Sequence, residues 1–430
     1  ACWVRDNYIY MSHTSDSLPQ SSVLSWLHGQ PVLTAIGLAL GTSLGASLAR
    51  FSYALFVPSM RDDLGWLYFT LGAMNTAHAM GYLLGALTLS WVITRFSSAR
   101  SFVIGGVLTS IFLGLCGLFI QPTAIGLLRF LSGFTSASVF AGGTVLIAQL
   151  ASAHPKRSGL LLGIYYAGGG FGMIICALLV PLTLTLGAEW GMKHPWQLGW
   201  YVLGATGLLM TFLMWKPSAS VPVSPPRKTT GDSTAISRYA KIAAGYFCFG
   251  MGYIGYMTFI MAMLRELGWQ DTSLTAFYIT MGVLGLVSAQ IWAKALDTFK
   301  GGQCLAIINA LLAIACLIPG YFALTGSKAS GMVMVVCLYV SAAIFGGCLA
   351  TAVASTTAFI KHNLPQTQWV AAITVFTSIF ATGQILGPAL TGWISDNAGG
   401  LATGFIVSAA ILFAGAWLAW LQKPFLAPSP

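Results

Sequence analysis

Two arginines of this chain sit where a charge is costly. Arg50 closes an otherwise uncharged run, Val32 to Ala49, and Arg129 opens the segment RFLSG inside a second such run. A guanidinium is a permanent cation whose planar fork of donors matches a carboxylate or phosphate. Tyr53, three residues after Arg50, and Tyr253, Tyr256 and Tyr339 further along offer hydroxyls and ring surface beside such an anion. His78 shares a helical face with Asn75 and Tyr82, three and four residues away, and an imidazole is the side chain best placed to exchange a proton near neutral pH. The chemistry these groups suggest is anion binding: Arg50 and Arg129 as anchors, Tyr53, Tyr253, Tyr256 and Tyr339 around them, and His78 with Asn75 as a proton-coupling pair.

Each residue also has a plainer reading. Arg50 could snorkel to lipid headgroups, Arg129 could donate to helix carbonyls, and His78 could belong to a polar stripe that bonds a neighbouring helix. The tyrosines could be core aromatics. Gly37, Gly41 and Gly45, repeating every four residues, suit close helix packing. Asp62 and Asp63, with only Arg61 beside them, read as solvated loop charges and not as a metal pair.

The elements that position these groups follow from composition. The chain is 57% hydrophobic and 7% charged with a mean hydropathy of +0.79, far from the roughly 25% charged of a soluble domain. Apolar windows long enough to cross a bilayer place helices near 32–58, 66–94, 102–121, 123–149, 158–187, 198–215, 240–263, 272–296, 303–325, 331–359, 369–394 and 401–421. The expected fold is an all-α membrane protein of twelve transmembrane helices. The longest polar connection, 216–238, is rich in Pro, Ser and charge and reads as a flexible linker. Five regions follow: an N-terminal tail (1–31), a six-helix bundle (32–215), the linker (216–238), a second six-helix bundle (239–422) and a C-terminal tail (423–430). As drawn, none of the ten carboxylates falls within a span, so neither buried arginine has a counter-ion. Arg50 lies eight residues before Pro58, the expected outer end of its helix, or roughly 12 Å inside it.

Cations in short loops mark the cytoplasmic side. With the N-terminus inside, fourteen Lys and Arg fall on inner segments and four on outer ones, leaving Arg50 and Arg129 of the twenty within the membrane. Both termini and the linker are therefore expected in the cytoplasm, and the chain in the inner or plasma membrane. The basic balance reads as topology and not as a nucleic-acid footprint, which would need a clustered basic face. Eight scattered cysteines lack CxxC spacing or His partners, so neither disulfide nor metal nor any other cofactor is expected. No HExxH, GxSxG or paired-acid signature lies in a span, which argues against an enzyme. The opening ACWVRDNYIY is too short and too polar for a secretory signal, and Met11 is an alternative start.

The chain repeats itself. RFSYALFVPSMRDDLGW, 50–66, aligns with YIGYMTFIMAMLRELGW, 253–269, at a constant offset of 203, and Gly81 and Trp91 match Gly282 and Trp292 at 201. Tyr253 thus occupies the position of Arg50. A second alignment, through Pro155 and Pro365, sets Tyr339 opposite Arg129. Parallel repeats of six helices are a signature of transporters whose halves rock about a central site.

On these residues the sequence resembles the major facilitator superfamily, over nearly its whole length. The loop TRFSSAR, 94–100, keeps Arg95 and Arg100 of the family's first motif, with Thr94 in place of its Asp. KALDTFKGG, 294–302, keeps Asp297. RFLSG is similar to the family's arginine motif of the fourth helix. GQILGPALTG, 383–392, with Gly387 and Pro388, is similar to the glycine-proline motif that antiporters carry in the fifth helix. Here the fifth helix reads AGGGFG, 167–172, without proline. RFSY with MGYLLGAL, 80–87, looks most like the YbfB/YjiJ branch. The resemblance implies two pseudo-symmetric six-helix bundles, a cavity lined by the first, fourth, seventh and tenth helices, and gating by Arg95, Arg100, Asp297, Gly387 and Pro388. The expected function is secondary active transport of a small organic solute, an organic anion on the evidence of the two arginines, by a monomer in the lipid bilayer coupled to a proton. Efflux of amphipathic drugs is the alternative, and a membrane-embedded enzyme or a non-transporting receptor the more distant ones.

Overall fold

The structure, a computed structural model, describes residues 29–221, 236–325, 331–365 and 368–425. Most of the expected N-terminal tail and linker and the last five residues lie outside the described residues. Twelve helices are long and apolar enough to cross a membrane. In chain order they are α1 (Pro31–Leu64), α2 (Tyr68–Phe96), α3 (Ser98–Leu118), α4 (Pro122–Ala153), α5 (Ser158–Glu189) and α6 (Trp196–Ala219), then α7 (Ala240–Glu266), α8 (Asp271–Thr298), α9 (Gln303–Leu324), α10 (Met332–Asn363), α11 (Trp369–Asn397) and α12 (Gly400–Trp420). Helices are what a lipid-spanning chain must form, because each satisfies its own backbone polar groups. They make two six-helix bundles, α1–α6 and α7–α12. The inner and outer ends are named here by the cation distribution.

Small residues set the packing, since lipid gives apolar side chains little reason to prefer one another and close backbone approach takes over. A Cβ at Gly81 or Gly85 of α2 would collide with the carbonyls of Phe130 or Phe134 in α4, and one at Gly383 or Gly387 of α11 with those of Phe247 or Met251 in α7. Gly37 and Gly41 press on Pro217 and Phe102 in the same way. Ser43 and Ser47 of α1 donate to the carbonyls of Gly168 and Gly169 in α5, at 2.7 and 2.6 Å.

Two expectations need correction. Pro58 does not end the first helix: α1 runs through it to Leu64 and stops at Gly65, whose φ of 65° suits a residue without a side chain. Arg50 therefore lies fourteen residues from the outer end, about 21 Å along the axis, beyond what a snorkelling side chain spans. Nor are Asp62 and Asp63 loop charges, because both belong to the last turn of α1. Asp63 accepts from Trp196 Nε1 at 2.5 Å and pairs with His194 at 2.7 Å, which ties α1 to the start of α6.

One irregularity bears on the site. Ser43–Phe51 of α1 is wound as a π-helix, in which the amide of Ser52 reaches back five residues to the carbonyl of Ser47 at 2.8 Å. Such wide turns loosen the ladder and turn carbonyls outward. Arg50 is the penultimate residue of this segment.

Candidate functional site

Arg129 of α4 is fully enclosed. Its Nη1 donates to the carbonyl of Ala49, at the end of the wide segment, at 2.5 Å, and its Nη2 to Asn75 Oδ1 at 3.4 Å. Its guanidinium carbon stands 4.9 Å from the ring centre of Tyr53 and 5.7 Å from that of Trp200, a cation enclosed by aromatic faces. Asn75 passes the chain on, donating to Thr258 Oγ1 of α7 at 2.7 Å. A polar connection thus runs from α1 through α4 and α2 into the other bundle. The hydroxyl of Tyr53 donates to the carbonyl of Leu71 at 3.0 Å. His78 belongs to the same layer, with Nδ1 3.2 Å from Ser132 Oγ, and its Nε2 is buried without a partner.

Arg129 Nε is buried without an acceptor. Arg50 goes further: it is 8% exposed, and both its Nε and its Nη2 are buried with no hydrogen-bond acceptor. The carbonyl of the next residue, Phe51, accepts from Tyr278 of α8 at 2.7 Å, so this turn of α1 lies against the other bundle. The residue at the repeat-equivalent position of the second bundle is Tyr253 of α7. Tyr253 is in turn held by Gln384 of α11, whose Nε2 donates to the tyrosine oxygen while its Oε1 is buried without a partner. Below Tyr253 the rings of Phe249 and Phe380 stand 4.7 and 5.9 Å away, nearly parallel to it, and Tyr246 continues the stack 4.9 Å from Phe380.

The other two tyrosines lie elsewhere. Tyr256 bonds Ser341 of α10 at 2.8 Å and stacks on Phe345 at 4.2 Å inside the second bundle. Tyr339 packs against Trp269 and Phe277 towards the outer end, with ring centres 5.6 and 6.3 Å away, so it does not face Arg129. The alignment through Pro155 and Pro365 holds for the backbone, since α4 and α10 coincide end to end at its offset of 210, but the equivalent side chain in the second bundle turns to Trp269 and Phe277. Sequence reasoning missed Trp200, Thr258, Tyr278 and Gln384. Of these only Gln384 carried a signal, a polar residue inside an apolar span.

The bundles meet at the outer end. The amides of Tyr68 and Phe69, at the N-terminus of α2, donate to Asp396 at 3.0 and 2.7 Å, and the Tyr68 hydroxyl bonds Glu266 at the end of α7. Arg61 covers the Tyr68 ring at 4.1 Å. Deeper, Gly72 lies on the Pro388 carbonyl, Gly392 on that of Tyr68, and Thr76 donates to Ile385 at 2.7 Å. Gly170 of α5 and Gly282 of α8 make the matching close approach on the opposite side. Towards the inner end, Gly159 and Gly163 of α5 face open space. Arg95, Arg100 and Asp297 are exposed there, and no ion pair joins them among the described residues. An apolar hollow of about 510 Å³ between Phe69, Leu386 and Trp393 adjoins the α2/α11 contact, with Thr76 and Ile385 in its lining.

Twelve spans in two bundles, closed at one end by helix pairs α2/α11 and α5/α8 around a mid-membrane charge, define a transporter of the major facilitator type. More narrowly, the chain belongs to the YbfB family within it: the model described as "Uncharacterised MFS-type transporter YbfB" matches residues 42–420. Human Monocarboxylate transporter 11 is 23% identical over 434 residues, covering 96% of this chain and 85% of that protein. The fold is shared with a bacterial homolog of the human lysosomal transporter Spinster in its inward-facing, unoccupied conformation (TM-score 0.70, 16% identity, 93% of this chain and 97% of the other). It is shared also with the nucleoside transporter NupG in its D323A form (TM-score 0.68, 14% identity, 90% and 99%).

Proposed function

We propose that this protein is a secondary active transporter that moves a small organic anion by alternating access, and that the state described above opens to the cytoplasm. The observation that carries the reading is Arg50: a permanent charge held mid-membrane at the interface of two rocking halves, with two buried donors lacking any protein acceptor. An unpaired buried charge is too costly to keep without use, and charge-assisted bonds to a carboxylate would repay it. A relative named for monocarboxylate transport is consistent with that class. Arg129, already bonded, positions α1 and contributes field to the site, while Tyr253 adds the contact from the second bundle. His78 carries the coupling proton, and Arg95, Arg100 and Asp297 join in the outward-open state. The linker and both termini lie in the cytoplasm, and the membrane is the inner or plasma membrane.

The test is binding and flux of a panel of organic acids and amphiphiles in purified and reconstituted protein. Arg50→Ala should weaken the bound acid by about 1.5–3 kcal/mol, the range for hydrogen bonds to charged groups, or on the order of 10- to 150-fold. Arg50→Lys keeps the charge but loses the fork, so weaker transport should remain. Full ligand stabilisation in Arg50→Ala, or flux of neutral amphiphiles alone, would end the anion reading. The stacked rings of Tyr246, Phe249, Tyr253 and Phe380 favour amphiphile efflux as the second reading.

A further inference from the structure

The apolar hollow beside the α2/α11 contact has walls from both bundles. Phe69 and Thr76 of α2 line it with Leu386, Ala389 and Trp393 of α11, and Met251 of α7 completes the lining. None of these residues is charged, and the Thr76 hydroxyl is already committed to the Ile385 carbonyl at 2.7 Å. Phe69, Leu386 and Trp393 are 46, 47 and 55% exposed, so the hollow opens sideways from the closed end of the molecule. Its depth is that of hydrocarbon. Trp393 and Ile385 stand four and twelve residues before the end of α11 at Asn397, about 6 and 18 Å along the axis, where half of a hydrocarbon core is about 15 Å thick. Trp393 is nearest the rim, the level at which indoles of membrane proteins meet headgroups. Neither Arg50, Arg129 nor His78 lines the hollow, so it is distinct from the charged layer at mid-membrane.

We infer that the hollow holds one acyl chain of a phospholipid from the adjoining leaflet, and that this chain fastens the two bundles together at their outer end. The occupant is hydrocarbon because the walls offer a polar group almost nothing, and at this depth the solvent itself is acyl chain. An empty hollow would forfeit the dispersion contacts of its lining. The preference for one state comes from where the walls belong. The hollow adjoins the points where Gly72 meets the Pro388 carbonyl and Gly392 that of Tyr68, contacts that must part when this end opens. Phe69 and Thr76 then leave with the first bundle, Leu386 and Trp393 with the second. A chain seated among them touches both walls in the closed state and one at most in the open state. A ligand shifts an equilibrium by the difference of its affinities for the two states, so the lipid favours closure. The inference rests on the rocking proposed above and is independent of which solute is carried.

Two titrations of the purified protein in mild detergent test this, with dioleoyl phosphatidylcholine and with the same lipid brominated along its chains. Bromine quenches an indole that it touches. The Trp393 signal is isolated by difference from Trp393→Phe, and that of Trp417, 66% exposed on α12 and outside the hollow, by difference from Trp417→Phe. Trp393 should be quenched at about a tenfold lower lipid fraction than Trp417. Spin labels at the outer ends of α2 and α11 should show the closed-to-open ratio rising by about tenfold over the unbrominated titration, because differential affinity and population shift are one quantity. Ala389→Phe, whose ring takes the place of the chain, should be closed without lipid and unresponsive to it. Val336→Phe, on an exposed face of α10, should behave as wild type. Leu386→Ala removes part of one wall and should need more lipid in both titrations, which keeps a test in hand if Ala389→Phe does not fold. Equal lipid fractions for the two indoles, or a wild-type response in Leu386→Ala and Ala389→Phe, would leave only ordinary lipid contact and overturn the inference. Displacement of the brominated chain by an amphiphile that the reconstituted protein transports overturns it too, assigning the hollow to the solute. Label distances that respond to Gly72→Leu but not to lipid overturn this inference alone. Distances that respond to neither sink it together with the rocking on which it rests.

Discussion

Removing the Arg129 guanidinium would leave the Ala49 carbonyl and Asn75 Oδ1 without their donor in the middle of the membrane, at about 1–3 kcal/mol for each group left unsatisfied. Arg129→Met should therefore lower the melting temperature of the purified protein substantially, while the fraction that folds keeps an Arg50-dependent ligand response. Arg50→Leu should do the reverse, raising the melting temperature of the unliganded protein and removing the ligand response, because it deletes a buried charge with no partner. Scanning calorimetry of both variants with and without ligand checks the pair, and a stability loss in Arg50→Leu would show that Arg50 has a structural partner. These residues were legible because a polar side chain in an apolar span stands out by type alone. Their partners were not, because the rotation of each helix about its axis decides contact. Arg129 and Arg50 look alike in sequence, and only packing reveals that one is bonded and the other is not. Gln384 lay in plain view within GQILGPALTG, where the glycines and proline drew the reading towards backbone geometry.

The α2 N-terminus carries the outer closure. A carboxylate at a helix start satisfies free amides and complements the helix dipole, and Asp396 does this from the opposite bundle. Losing such a cap costs about 0.5–2 kcal/mol, so Asp396→Ala should shift the population towards outward-open by a factor of roughly 2 to 30. Gly72→Leu should shift it further, since its side chain would meet the Pro388 backbone, which cannot retreat without parting α2 from α11. Spin labels at the outer ends of α2 and α11 would report the separation, and unchanged distances in both variants would mean the latch does not hold the state. Charge reversal at Arg100 or Asp297 should instead deplete the outward-open form, because these exposed residues are unengaged in the state described. The helices themselves were legible from hydropathy to within a few residues at most ends. The π-helical stretch was not: SLGASLARF contains nothing that distinguishes a wide turn from a regular one, and only its contacts with α4 and α5 reveal it.

At the scale of the molecule, fourteen inner cations against four outer ones predict that segment 216–238 faces the cytoplasm. Single-cysteine labelling in intact cells checks this, and labelling by an impermeant reagent from outside would invert every inner and outer assignment above. The duplication was readable because the first and seventh helices kept aligned aromatic and glycine positions, and the pairing of Arg50 with Tyr253 came from it directly. What the duplication could not convey is how unequal the halves have become. The first bundle holds two cations in its core and the second, among its described residues, holds none, so the empty carrier carries net positive charge at mid-membrane. In the alternating-access cycle proposed above, rocking of the halves would change the position of that charge relative to the membrane potential. One elementary charge crossing 100 mV corresponds to about 2.3 kcal/mol, so a displacement of a quarter of the field would be worth about 0.6 kcal/mol per arginine. A negative interior therefore biases the empty protein towards facing inward, and a bound monoanion cancels part of that bias. Where a monoanion binds alone, one of the two charges stays uncompensated, so the step that returns the unloaded carrier should be the more voltage-sensitive half of the proposed cycle.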